Sequence, residues 1–164
     1  MLVVSDTSPI TNLAAVGRLD LLHALFDQIT IPEEVRDELT LGGTGDNPGA
    51  EEVRSELWFV VVHVDPQARD RLAQAYRALD LGEAAALALA MDRSADLVLL
   101  DDKAARQAAQ ELKLAHVGII GVLLSAKVRG IVPAVKPILE DLRTRAGFRL
   151  AEAVYRDALR QAGE

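Results

Sequence analysis

Five carboxylates stand where they could do chemistry together. Asp6 ends the apolar run Met1-Leu-Val-Val4, and Asp101-Asp102 end a second, Leu97-Val-Leu-Leu100. Glu38, in Glu33-Glu-Val-Arg-Asp-Glu-Leu39, and Glu83, in Leu81-Gly-Glu-Ala-Ala85, flank or open helical stretches. If both apolar runs are parallel strands of one sheet, Asp6 and the Asp101-Asp102 pair meet at one edge. Clustered carboxylates repel unless a cation or a shared proton intervenes. Each acid also has a plainer reading: Asp6, Asp101 or Asp102 could cap a helix, Glu38 lies among four acids on what could be a solvated face, and Glu83 follows Asp80 at capping-box spacing.

The elements that must position these acids follow from patterning. Leu2–Val4 reads as a buried strand, and Ser8-Pro9 as an N-cap with proline at the first helical position, opening a helix to about Val16. Helical pattern resumes over Arg18–Phe26, Gln28–Ile31 is a short strand, and Pro32 starts a helix with Ile31, Val35 and Leu39 on one face. Leu41–Gly49 is a glycine-rich loop and Ala50–Glu56 a short helix. Trp58–His63 is a strand, Pro66 begins a helix lasting to about Asp80, and an alanine-rich helix spans Glu83–Asp92. After the strand Leu97–Leu100 come a helix to about Leu112, a strand over Ala115–Val117, a helix over Gly118–Arg129, and two amphipathic helices, Ala134–Arg145 and Arg149–Ala162. Strands alternating with helices predict an α/β fold, a mostly parallel central sheet with helices on both faces. In such sheets ligands gather at the carboxyl ends of the strands, where strand order reverses.

Composition narrows the class. A chain of 164 residues, half of them hydrophobic, suits one domain with a sizeable core. It divides into a core over about residues 1–130 and a helical extension over about 131–164. No stretch approaches the ~20 apolar residues of a membrane span, no secretory signal is visible, and there is no cysteine for disulfides or thiolate zinc sites, so the expected compartment is the cytoplasm. The net charge of −7 argues against coating nucleic acid by bulk electrostatics. The charge is uneven, however: residues 1–64 carry three basic side chains against eleven acids, and residues 103–164 eleven against six. His23, His63 and His116 have no metal-ligand spacing, and Trp58 and Phe59 read as core rather than as a platform for bases.

The ordered set of motifs resembles the PIN-domain nucleases, including VapC-type toxins, over nearly the whole chain. It comprises Asp6-Thr7-Ser8 with Asn12 on the following helix, Pro32-Glu-Glu-Val-Arg-Asp-Glu38-Leu39, and Gly82-Glu83 opening an alanine-rich helix. Leu99-Leu100-Asp101-Asp102 then follows the later strand. A bacterial PIN-like subgroup with Leu-Leu-Asp-Asp, the segment Val117–Leu124 and a Gly147-Phe-Arg-Leu150 tail is closer still. The resemblance implies a single PIN-like domain and a ribonuclease dependent on Mg²⁺ or Mn²⁺. Asp6, Glu83 and Asp101 or Asp102 would bind metal, Glu38 would assist, and Thr7, Ser8 and Asn12 would position phosphate or water. Many family members have Thr-x-Asp after the fourth strand. That aligns Asp102 with the aspartate and leaves Asp101 as an additional acid.

A rim of Lys103, Arg106, Lys127 and Arg129 would offset the acids' repulsion of RNA. The resemblance further implies the toxin of a toxin–antitoxin pair, with an antitoxin partner and a homodimer built on apolar stripes of the closing helices. Two other readings remain open: a catalytically weak PIN-like module binding RNA or antitoxin, and a haloacid-dehalogenase-like phosphatase. The latter family wants Asp-x-Asp, where this chain has Ser8 in the second position.

Overall fold

A computed structural model of the chain describes residues 1–41 and 47–164. The elements run β1 (Val3–Ser5), α1 (Thr7–Ala15), α2 (Asp20–Phe26), β2 (Ile29–Pro32), α3 (Glu33–Leu41), α4 (Ala50–Ser55), β3 (Phe59–Val62) and α5 (Pro66–Ala75). They continue with α6 (Leu81–Asp92), β4 (Leu97–Leu99), α7 (Lys103–Glu111), β5 (His116–Val117), α8 (Ile119–Val128), α9 (Lys136–Thr144) and α10 (Glu152–Ala162).

The five strands form one sheet in the order β3-β2-β1-β4-β5, and every pairing is parallel. From β1 the chain winds one way to β2 and β3; it then crosses back to add β4 and β5 on the other side. The reversal therefore falls between β1 and β4, and a crevice opens at their carboxyl ends. Asp6 follows β1 and Asp101 follows β4 there. The Asp6 amide donates to the Leu99 carbonyl at 3.2 Å, which ties the two strand ends together.

Successive strand residues point to opposite faces, and in a sheet covered on both sides most of them must be apolar, with Ser5 and Thr30 as buried polar members of β1 and β2. Val3 and Leu99 join a cluster with Ile10, Leu13, Leu22, Leu123 and Leu139; Val4, Val98 and Leu100 join another with Leu87, Leu89 and Ala105. The closing helices belong to the first cluster through Ile138, Leu142 and Ala158. On the second face, Gly82 through Ala90 are all buried, so α6 is enclosed on every side. Small alanines let it lie close to the sheet, which explains a composition that shows no amphipathic stripe.

Several boundaries differ from the sequence reading. The first helix starts two residues earlier, with Asp6 rather than Ser8 at the N-cap and Pro9 in the third helical position. The first-turn amides have no intrahelical partner, so a proline costs no hydrogen bond at any of these positions and does not single out the first. The helix begun at Pro66 ends at Ala75, where Tyr76 leaves helical geometry, and the chain turns so that Asp80 caps α6. The last helix begins at Glu152 instead of Arg149. Of the loop expected over Leu41–Gly49, Leu41 completes α3 and Gly49 sits left-handed at φ 90° before α4, while residues 42–46 lie outside the described residues.

Candidate active site

Asp6 is the floor of the crevice. As N-cap of α1 it has extended geometry, yet its side chain closes no capping bond; it is 2% exposed, and among the described residues its Oδ1 has no hydrogen-bond partner. Burial pushes its pKa up to about 8, the Thr7 amide opposes this, and the charges of Glu83, Asp80 and Glu38 add to it. A buried, unpartnered carboxylate oxygen among other acids is costly to ionise.

Three elements bring those acids in. Thr7, the first residue of α1, donates its Oγ1 proton to Glu38 Oε2 at 2.8 Å, so exposed Glu38 on α3 is pulled over the crevice. At the start of α6 a complete capping box forms: the Glu83 amide donates to Asp80 Oδ1 at 2.8 Å, and the Asp80 amide to Glu83 Oε2 at 2.9 Å. Burial raises the Glu83 pKa to about 7; its bond from the Asp80 amide lowers it, and the charges of Asp80, Asp102 and Glu38 raise it. Between these acids stands Gly82. A Cβ there would lie 2.9 Å from Glu38 Oε2 and 3.5 Å from both Asp6 Oδ1 and Asp80 Oδ1. The glycine leaves open the space onto which three carboxylates face.

The Asp101-Asp102 pair divides. Asp102 caps α7, its Oδ1 accepting from the Ala104 and Ala105 amides at 2.7 and 3.1 Å, and its charge is felt at Glu83. Asp101 turns the other way: its Oδ1 accepts from the Ile119 amide at 2.8 Å, while Oδ2 is buried and makes no close hydrogen bond among the described residues. Burial raises the Asp101 pKa, and the Ile119 amide, Arg106 and Asn12 lower it. Asn12 thus accompanies Asp101 rather than Asp6. Among the described residues the Ser8 hydroxyl makes no hydrogen bond, and its carbonyl accepts from Thr11 Oγ1 at 3.1 Å.

The crevice therefore gathers Asp6, Thr7, Glu38, Glu83 and Asp102, with Asp80 and Gly82 added to those expected. The Asp80–Glu83 spacing gave a capping box, and the box is present. It did not announce that a cap at this corner also faces Asp6. An isolated glycine in the first turn of an alanine-rich helix was the available signal for Gly82, since such a glycine often marks a close approach.

Lys103 and Arg106 lie in the first turns of α7, at the carboxyl edge with the acids. Lys127 and Arg129 do not. They sit at the far end of α8, about 15 Å of helix from its start beside Asp101. There Lys127 Nζ pairs with Glu164 at 2.8 Å, and Arg129 Nη1 donates to the Leu25 carbonyl at 2.9 Å, before β2 begins. Trp58 stacks between His23 and Phe59 and packs on the core.

Among the described residues no trio of carboxylates or imidazoles already stands at metal-ligand spacing. The donor set still fits a hard cation. Magnesium takes only one or two carboxylates directly and keeps several waters, and the Asp6 oxygen needs a positive partner. Thr7 and the capping box hold Glu38 and Glu83 near it, at positions suited to bonding through water.

The family model described as a PIN domain matches residues 2–164. No curated protein matches the chain.

Proposed function

We propose that this chain, which belongs to the PIN-domain family, is a divalent-metal-dependent endoribonuclease. PIN domains are generally nucleases, so hydrolysis of nucleic acid is the broad activity that membership carries. The observation that supports the finer reading is the buried, unpartnered Oδ1 of Asp6, facing Glu38 and Asp80 across Gly82.

In this reading Asp6 and Asp102 hold Mg²⁺ or Mn²⁺, which when bound supplies charge neutralisation at phosphoryl oxygens and lowers the pKa of water. Glu83, whose pKa stands near neutrality, orients the attacking water and takes up its proton. Thr7 holds Glu38 by its 2.8 Å bond, so that Glu38 can steady a second water or ion at the mouth of the crevice. Lys103 meets a backbone phosphate at the rim. Asp101, engaged with α8, is the additional acid rather than the direct ligand. The role of toxin, an antitoxin partner and a homodimer belong to the same proposal through the VapC resemblance.

The decisive experiment compares wild type and Asp6→Asn on single-stranded RNA with Mn²⁺ or with a chelator. Cleavage should need metal and vanish in the variant while its circular dichroism is unchanged. Undiminished cleavage by a clean variant preparation removes the mechanism.

A further inference from the structure

Two surfaces border the acid crevice, and their chemistry is opposite. Over α3 and the start of α6 the lining is Glu34, Asp37, Glu38 and Asp80, with Leu81 and Gly82. On the other side an open groove of about 490 Å³ runs along α7, lined by Lys103, Arg106, Gln107 and Gln110, with His116 of the edge strand β5. Offsets of three, four and seven put the four α7 side chains on one helix face, opposite buried Ala105, Ala108 and Ala109. Among the described residues no acid lines this groove. It begins at the crevice, because Lys103 follows Asp102, the cap of α7.

A polar helix face is ordinarily solvated surface, but the charges here are left uncommitted. On the closing helices the arginines pair locally, Arg145 with Asp141, Arg156 with Glu152 and Arg160 with Asp157. Among the described residues Lys103 makes no hydrogen bond or ion pair; Arg106 makes none either, although its charge reaches Asp101. Gln107 Nε2 stands 3.4 Å from Glu111 Oε1, a long bond that a better acceptor displaces. His116 donates its Nδ1 proton to the Leu114 carbonyl at 3.0 Å, which holds the ring beside β5. A polyanion at the crevice is therefore repelled over α3 and attracted over α7. Beyond the two cations, glutamine amides and an imidazole are groups that meet sugar hydroxyls and base edges.

We infer that the RNA is gripped on one side of the scissile phosphate only, along α7. Lys103 and Arg106 meet its phosphates, and Gln107, Gln110 and His116 meet the nucleotides beyond. From Lys103 to Gln110 the helix advances about 10 Å at ~1.5 Å per residue, enough for about three nucleotides at ~3.4 Å each. Over α3 the strand is not held. This inference deepens the proposed nuclease reading and rests on it for the identity of the strand.

The test needs no catalysis. Isotope-labelled protein in chelator, so that the strand stays intact, is titrated at low salt with a dinucleotide, a tetranucleotide and an octanucleotide of uridine. The amide resonances of Lys103, Gln107, Gln110 and His116 should shift saturably, and those of Glu34, Asp37 and Leu81 should not. Affinity should rise roughly tenfold from dinucleotide to tetranucleotide, and only about threefold more to the octanucleotide, from its added registers alone. Gln107→Glu with Gln110→Glu places two negative charges in the groove at exposed helix positions and should weaken the tetranucleotide roughly tenfold. Gln67→Glu with Gln74→Glu, the same change of net charge on exposed positions of α5, should weaken it by less than about twofold.

Shifts centred on α3, affinity that climbs another tenfold to the octanucleotide, or equal losses in the two double variants overturn the inference. If Gln107→Glu with Gln110→Glu does not fold, Gln107→Lys with Gln110→Lys must tighten the tetranucleotide, and an unchanged affinity is equally fatal. Metal-dependent RNA cleavage without shifts along α7 sinks this inference and leaves the nuclease reading. Tetranucleotide binding along α7 without cleavage in Mn²⁺ does the reverse.

Discussion

Replacing Asp6 with Asn should make the metal-free protein more stable near pH 8. The Asp6 carboxyl is moved from an ordinary value of 3.8 to about 8, first by burial and then by Glu83, Asp80 and Glu38, despite the Thr7 amide. The folded protein therefore holds this proton more tightly than the unfolded chain. The stability this provides is full below about 3.8 and is lost progressively as pH rises to about 8. Each unit is worth about 1.36 kcal/mol, so from about pH 5 to about pH 8 the wild type should lose about 4 kcal/mol through this residue. Asparagine has no proton to release and escapes that loss. The assay is urea unfolding in chelator across the range, and the quantity to read is how the difference between the two proteins changes with pH. Saturating Mn²⁺ should restore the wild type alone, by about 2.7 kcal/mol at a hundredfold excess over Kd. Parallel pH profiles, or a variant less stable than wild type near pH 8 in chelator, would refute the reasoning.

Gly82→Ala should fold well, with up to about 1 kcal/mol gained in helix propensity. Its methyl nevertheless displaces Glu38 Oε2 and crowds Asp6 Oδ1, so calorimetry should show Mn²⁺ affinity falling by roughly tenfold, about 1.4 kcal/mol. Lys103→Ala should reduce the slope of log affinity for single-stranded RNA against log salt by about 0.7, whereas Arg129→Ala, at the opposite edge, should leave it unchanged. Glu164 accepts from Lys127 Nζ and from the Val135 and Lys136 amides, which hold its pKa down to about 2. That stability is present above its ordinary 4.5 and lost as pH falls toward 2. Glu164→Gln should therefore cost about 1–3 kcal/mol at neutral pH, seen as a lower Tm, and should flatten the acid limb of the stability curve.

Short apolar runs between turn signals made the strands legible, because a strand covered on both faces is mostly apolar. The same patterning placed Asp6 and Asp101-Asp102 at strand tips. Helix boundaries were less legible: Ser8-Pro9 satisfied the usual start signal, but the strand reaches Asp6, whose amide bonds to Leu99, and the helix starts two residues earlier. Local sequence also represented Asp80–Glu83 correctly as a capping box and said nothing of its second role, since facing Asp6 depends on α6 packing against the central strand β1.

The sequence by itself determined which acids exist, their order along the chain, and that two of them end buried strands. Those are local matters of residue type and period. Only the tertiary structure decided that the Asp102 charge is felt at Glu83 while Asp101 turns to Ile119, that Gly82 is the gap between Glu38 and Asp6, and that Lys127 and Arg129 lie an α8 length away. Neighbours in sequence can point in opposite directions, and residues more than 70 apart can share a crevice. Sheet order and helix packing set those relations, and neither is encoded within any short window of the chain.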